Sequence, residues 1–258
     1  MVRGAGEQAS GVAHRLYGAH FKVFMTEIPN PLCIRRMVSF CECIIEGSWE
    51  VEGVRARHVP SPDGVWTAWE EKTIPVLIDP EGKSREAIKP HVIVDAILAK
   101  RNTGTRRGDA PLVIGLGPGF WAGKDVDIVI ETNRGHNLGR IIREGPAEAD
   151  TGIPGVIGGV GAQRVLRAPA DGIFHPVKGI GDLVHAGEMV ARVDGEPMVT
   201  SIDGVIRGLL RENTKVHAGL KAGDVDPRGI LGYCHTISDK ARALGGAVLE
   251  AILNRYNV

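Results

Sequence analysis

Two glycine-rich stretches carry residue types and spacing that could do chemistry. The first, Gly4-Ala5-Gly6-Glu7-Gln8-Ala9, fits the pattern G-x-G-x-x-G/A. Such glycines allow a tight turn and a close backbone approach to a pyrophosphate, whose charge then faces helix N-terminal N–H groups. Glu27 lies 23 residues after Gly4, at the end of the next expected strand, where a carboxylate can bind a ribose hydroxyl. Glu7 weighs against this, because it puts negative charge where the phosphate would sit. A tight strand–helix turn that touches no nucleotide fits the same spacing.

The second stretch is Gly115-Leu116-Gly117-Pro118-Gly119, after the apolar run 112–114. Consecutive N–H groups there could form an anion-binding nest, less the donor that Pro118 removes. Lys100, Arg101 and Asn102, and Glu131, Asn133, Arg134 and His136, follow other apolar runs. If those runs are parallel strands, all of these residues reach one carboxyl edge, where α/β sheets take ligands. Arg and Lys beside a glycine nest suit a phosphate-bearing ligand. The bland alternative is an Arg134–Glu131 pair at a loop.

Four cysteines are too few for a disulfide framework in a chain of 258 residues, and none sits in C-x-x-C or zinc spacing. No metal site is expected. Cys41-x-Cys43 would share one face of a strand, or be two small buried residues. Cys234, just before the terminal helix, is the one candidate for catalysis, since a thiol at a helix N-terminus has a lowered pKa. A buried, inert Cys234 is the competing expectation.

The elements that position these residues follow from periodicity. Ala9, Val12, Ala13 and Leu16 have helical spacing up to Gly18, and residues 22–26 are β-like. Residues 49–59 surround Glu52-Gly53 as a hairpin, and 60–72, with Pro, Gly and Trp, suggest a loop. The short apolar runs 74–78, 92–94, 112–115 and 128–130 suit a parallel sheet covered on both faces. Ser238 caps a final helix with Ala241, Leu244, Val248 and Ile252 on one stripe. Gly245-Gly246 inside that helix implies close packing of another backbone.

Beyond a Gly/Pro-rich boundary at 151–161 the chain repeats itself. Asp171-Gly172 recurs as Asp203-Gly204 and Val184-His185-Ala186-Gly187 as Val216-His217-Ala218-Gly219, both 32 residues later. Two β-rich copies predict a small pseudo-symmetric sandwich over about 165–235. The repeat resembles the barrel-sandwich domain of biotinyl and lipoyl carriers. The hairpin at 193–198, where a carrier has its lysine, has none, so biotin and lipoate are not expected. The fold class expected is thus α/β, Rossmann-like with a mostly parallel sheet over 1–160 and a hairpin insertion near 48–60. A small all-β barrel-sandwich follows over 161–235, then a C-terminal helix over 236–258 packing back on the α/β part.

Equal numbers of Lys+Arg and Asp+Glu, 31 each, give no reason to expect nucleic acid or an acidic membrane as partner. No apolar run reaches the roughly 18 residues of a membrane span, and no signal peptide is recognisable, so a cytoplasmic location is expected. There is no Walker A, G-x-S-x-G or Ser-His-Asp pattern.

Several motifs together resemble the YqeB family of accessory proteins for selenium-dependent molybdenum hydroxylases. They are Arg3-Gly4-Ala5-Gly6, Arg35-Arg36 with Ser39-Phe40, the run 94–102, the run 115–120, the run 131–140, Ala168-Pro169-Ala170-Asp171-Gly172, and the run 237–243. The family pattern has Gly-Ala-Gly-Asp near the start, and Glu7 replaces that Asp. The resemblance implies a maturation factor, with the hydroxylase and its other maturation proteins as partners and a nucleotide-like small molecule as ligand. A molybdopterin-type cofactor is the first ligand expected. An NAD(P)-dependent oxidoreductase using Gly4, Gly6 and Glu27, and a non-catalytic scaffold docking the hydroxylase, are the alternatives. Whether the protein catalyses a reaction, and whether it forms a homo-oligomer, stays open at this level.

Overall fold

The computed structural model describes residues 1–257, which divide into two compact units. The first comprises Met1–Pro31, Ser39–Thr151 and Ile237–Val258. Its elements are β1 (Val2–Arg3), α1 (Glu7–Gly18), β2 (Met25–Glu27), α2 (Cys43–Glu46), β3 (Ser48–Val51), β4 (Val54–His58), α3 (Gly64–Glu70) and β5 (Ile74–Ile78). After these come α4 (Arg85–Ile88), β6 (Val92–Asp95), β7 (Leu112–Leu116), β8 (Trp121–Ala122), β9 (Ile128–Ile130), β10 (Ile141–Ile142), β11 (Gly145–Pro146) and α5 (Asp239–Tyr256).

Nine strands form one sheet in the order β10-β9-β7-β6-β1-β2-β5-β4-β3. The neighbours from β4 through to β9 are parallel, and β3 and β10 close the edges antiparallel. The sheet forms because its middle strands are apolar on both faces: Val2, Met25, Ile74, Val76, Ile93, Ile114, Val129 and Ile130 are all buried. Strand β2 lies on one side of β1 and β6 on the other, so the topological switch point falls between β1 and β6. The connections β6 to β7 and β7 to β9 carry no α-helix, unlike a doubly wound fold with a helix in every crossover. The β3–β4 hairpin turns at Glu52-Gly53 as expected, with φ of 45° and 79°. Residues 60–72 are not simply a loop. They contain α3, whose Val65 and Ala68 are buried, while Trp69 Nε1 donates to the Val23 carbonyl at 2.7 Å.

Helix α5 packs on α1 through small residues. A Cβ on Gly245 would lie 2.9 Å from the Gly11 carbonyl oxygen, and one on Gly11 would lie 2.7 Å from Ala241 Cβ. The helix is capped by Ser238, whose Oγ accepts the Ala241 N–H at 3.3 Å. Glu52 fixes its approach by accepting the Ile237 N–H at 2.8 Å and pairing with Arg242 at 2.6 Å.

The second unit comprises Leu32–Val38 and Gly152–Thr236. Its strands are β12 (Val165–Arg167), β13 (Gly172–Pro176), β14 (Leu183–Val184), β15 (Met189–Val193), β16 (Glu196–Val199), β17 (Gly204–Leu209), β18 (Thr214–Val216) and β19 (Lys221–Asp226). They form two four-stranded antiparallel sheets, β12-β19-β17-β14 and β16-β15-β13-β18. Strands β12–β15 are the first copy of the repeat and β16–β19 the second. Each sheet therefore has two central strands from one copy and two outer strands from the other. The repeated valines are both buried, Val184 at 1% and Val216 at 4% exposure. A cluster around Phe174, Val190, Ile206, Leu209 and Val225 fills the space within.

The core of this unit also holds charge. Arg207 binds Asp224 at 2.6 Å and Asp226 at 3.2 Å, Arg164 pairs with Asp224, and Arg228 with Asp226 at 2.6 Å. Burial would raise the Asp226 carboxyl, but Arg228 and Arg207 outweigh it and hold it below the usual range. The segment 32–38 joins this unit by backbone. Leu209 N–H donates to the Ile34 carbonyl at 2.8 Å, and Arg36 Nε to the Leu209 carbonyl at 2.9 Å. Gly208 permits the approach, since a Cβ there would lie 2.9 Å from the Ile34 oxygen.

Candidate functional site

The first glycine loop is closed by the protein itself. Gly4, at φ 90°, packs against the start of the connection after β6, where a Cβ would lie 3.1 Å from the Ala96 oxygen. Gly6 is the N-cap of α1. The Ala5 N–H donates to Glu27 Oε2 at 2.8 Å, and the Ile28 N–H to Oε1 at 2.7 Å. Burial raises the Glu27 carboxyl, against the opposing pull of those two N–H groups. The Ala5 carbonyl accepts from Ser10 Oγ at 3.0 Å and from the Cys41 N–H at 2.9 Å, and Phe40 N–H donates to Ser10 Oγ. Glu27 and Gly4-Ala5-Gly6 thus meet, but as carboxylate and donor to each other. This geometry favours the structural role.

At the switch point lies a cluster that was not singled out as a site from sequence. Arg3 and Asp95 are paired in register at the carboxyl ends of β1 and β6, both buried. Arg3 Nη1 reaches Asp95 Oδ2 at 3.3 Å and Thr105 Oγ1, and Thr105 Oγ1 donates to Asp95 Oδ2 at 2.5 Å. Arg3 Nη2 donates to the Pro80 carbonyl at 3.0 Å, while Nε is buried with no hydrogen-bond partner. The sequence signal was a charge at the end of each of two apolar strands that turn out to be adjacent.

The loops after β6, β7 and β9 are locked together, and glycines do the locking. A Cβ on Gly115 would lie 2.6 Å from the Phe120 ring, one on Gly117 2.4 Å from Thr132 Oγ1, and one on Gly119 2.6 Å from the Arg101 backbone. The Gly117 N–H is spent on the Ile130 carbonyl. Glu131 is buried and accepts three N–H groups at 2.7 Å, from Thr132, Asn133 and Glu148. It is the clasp of this region, and it does not pair with Arg134. Arg134 instead makes a forked pair with Asp239 in the first turn of α5, with Nη2 to Oδ1 at 2.8 Å. Asn133 and Asn137 hold Glu148, whose carboxyl they lower, and Lys100 binds Asp150 at 2.6 Å. Asn102 Oδ1 caps the turn at Gly104 and Thr105. Leu98 and Lys100 hold φ of 57° and 61°, a left-handed backbone uncommon for such residues. Arg101 and His136 are exposed on this rim. The structure therefore brings the second set of expected residues together, on the three segments that follow β6, β7 and β9 in one unit.

The thiols correct two expectations. Cys41 and Cys43 lie in helical turns, not on a strand, and both are buried; burial pushes Cys43 up to about 12. Cys234 is also buried, with Sγ 3.6 Å from the Ile206 carbonyl oxygen. Burial raises its pKa despite the nearby Arg35 and Arg207, so a ready thiolate is not formed there. No grouping of three or more His, Cys, Asp or Glu among the described residues could hold a metal ion. No helix among them is long and apolar enough to cross a membrane.

Comparison with known proteins adds one decisive relationship. Over 253 residues, 98% of its length, the chain is 48% identical to a protein of Escherichia coli (strain K12) described as uncharacterized protein YqeB. The chain is a homologue of YqeB. It spans 47% of YqeB, about half the length of that curated relative. No family model matches the chain. Among solved structures, a succinylglutamate desuccinylase/aspartoacylase of Rhodobacter sphaeroides is 22% identical with a TM-score of 0.22, over 33% of this chain and 30% of its own. An aspartoacylase family protein of Mesorhizobium loti is 12% identical with a TM-score of 0.25, over 57% and 60%.

Proposed function

We propose that this YqeB homologue is an accessory factor in the maturation of a selenium-dependent molybdenum hydroxylase. It takes a phosphate-bearing ligand, of which a molybdopterin-type cofactor is the example, on the rim formed by the loops after β6, β7 and β9. One observation carries the site. Gly117 against Thr132 and Gly119 against Arg101 fuse three loops at the carboxyl edge of adjacent parallel strands, and Lys100, Arg101, Arg134 and His136 stand on that rim. A ligand phosphate would replace Asp150 and Asp239 as the partner of Lys100 and Arg134, with Arg supplying a planar fork. The motif resemblance supports the pathway, and the hydroxylase and its maturation proteins are the partners it names.

The test is mass spectrometry of small molecules retained by the native protein, wild type against Arg134→Lys. The variant keeps the charge and loses the fork. It should retain less phosphate- or pterin-bearing ligand, melt within about 1 kcal/mol of wild type as expected for a surface pair, and leave the co-expressed hydroxylase short of selenium or activity. Wild-type retention and wild-type hydroxylase would remove this site. Retention of a nicotinamide dinucleotide would replace the proposal with an oxidoreductase. No ligand, with tight hydroxylase binding, would replace it with a scaffold.

A further inference from the structure

The opposite edge of the same sheet carries a separate feature. At the amino ends of β1, β2 and β6 lies a cavity of about 660 Å³, within the range of small-molecule sites. Its walls come from α1, α3 and α5 and the turns before β2 and β6. Five aromatic residues line it: Phe21, Phe24, Trp66, Trp69 and Tyr256. Trp66 and Trp69 stack edge to face, with centroids 5.0 Å apart and planes at 82°. Tyr256, on the last turn of α5, also lines the cavity, and its hydroxyl donates to the His91 carbonyl at 3.1 Å. The polar atom of Trp69 is likewise spent within the protein. What these two rings offer the cavity is therefore apolar surface. Trp66 is nevertheless 51% exposed, a large aromatic area to leave in water.

The charge of the wall is one-sided. Lys22, Lys89 and His91 line the cavity, and no described Asp or Glu does. Lys22 Nζ sits 5.6 Å from the Trp69 ring centroid, and no described carboxylate lies within ion-pair distance of Lys22 or Lys89. Lys83 and Lys100 of the same unit, by contrast, each have an acid beside them, Glu81 and Asp150.

We propose that this cavity binds an aromatic acid, a flat ring system carrying one carboxylate, sulfonate or phosphate group. The rings of Trp66 and Trp69 take the flat body, and Lys22 with Lys89 takes the anion. This site is independent of the rim at the carboxyl edge and stands whether or not that rim binds a ligand.

The probe is 8-anilinonaphthalene-1-sulfonate, compared with the neutral dye N-phenyl-1-naphthylamine, titrated into the full chain with tryptophan emission and dye fluorescence followed together. Saturable one-to-one binding with tryptophan quenching is expected, with the sulfonate bound about tenfold more tightly than the neutral dye, from the charge of the two lysines. Lys22→Gln with Lys89→Gln should erase that preference and leave the neutral dye unchanged. Trp66→Ala should weaken both dyes by about tenfold, because it removes half of the aromatic pair, while circular dichroism stays native. Non-saturable dye binding, or binding indifferent to Trp66→Ala, overturns the site. Equal affinity for the two dyes, or a preference that survives loss of both lysines, overturns the anionic class of ligand.

Discussion

Asp171 and Asp203 hold the same post in the two copies of the β unit, each reaching across to the other copy. Asp171 Oδ1 accepts the Ala218 N–H at 2.7 Å, and Asp203 Oδ1 accepts the Ala186 N–H at 2.8 Å. The turns beyond them match as well. Gly187 donates to the Thr200 carbonyl and Gly219 to the Ala168 carbonyl, again 32 residues apart. Removing either carboxylate frees one turn N–H to water. Asp171→Ala and Asp203→Ala should each cost about 0.5–1.5 kcal/mol, by similar amounts, in urea denaturation. Strongly unequal losses would mean that the symmetry is one of shape and not of energetics.

The neighbouring glycines of α5 should behave in opposite ways. Gly245 faces the Gly11 carbonyl at van der Waals limit, so Gly245→Ala should destabilise by about 1–3 kcal/mol through overpacking. Nothing lies within 4 Å of a Cβ on Gly246, so Gly246→Ala should gain about 0.5–1 kcal/mol from helix propensity alone. Thermal melts of the two variants side by side decide this, and a loss at Gly246 would contradict the packing described.

Glu52 should give acid sensitivity. Burial would raise its carboxyl, but the Ile237 N–H and Arg242 outweigh that, and the pKa is lowered. A depressed carboxylate contributes stability above its unfolded pKa and loses it as pH falls through the folded value. Glu52→Gln should therefore be less stable than wild type at neutral pH and approach it below pH ~4. Melting curves across that window check the sign; a gap that widens in acid would refute it.

Glu131 makes the sharpest stability prediction at the candidate site. Glu131→Ala strips three backbone N–H groups of their acceptor, at roughly 1–3 kcal/mol for each that stays dry. Glu131→Gln keeps one acceptor oxygen and should fall between. Hydrogen exchange at Thr132, Asn133 and Glu148 should rise in both variants. Unchanged protection there would show that the loops are held by something other than this side chain.

The main strands were legible in the sequence because β5, β6, β7 and β9 bury both faces, and continuous apolar runs announce that. The 32-residue repeat announced the β unit for the same kind of reason: both copies must place Asp, Gly and Val at matching turns. Helix α3 was hidden, since its seven residues lie among Pro60, Pro62 and Gly64 and are held by Val65, Ala68 and Trp69 packing. The partner of Arg134 was hidden too. Glu131 is near in sequence, but its oxygens are already taken by N–H groups, and Asp239 is 105 residues away. Arg3 and Asp95 could be paired only once β1 and β6 were known to be neighbours. The path of residues 32–38 into the second unit rests on backbone hydrogen bonds, which no side-chain pattern displays.

The exchange of outer strands between the two copies has a consequence for synthesis. In the sheet β12-β19-β17-β14, the strand that joins β12 to β17 is β19, the last of the four to leave a ribosome. Until residues 221–226 emerge, β12 has no neighbour and one edge of β17 is bare. Unpaired edges of this kind recruit other chains. The nascent protein thus passes through an interval in which half of its β unit is sticky, and a ribosome stalled before Asp226 would release a chain prone to aggregate.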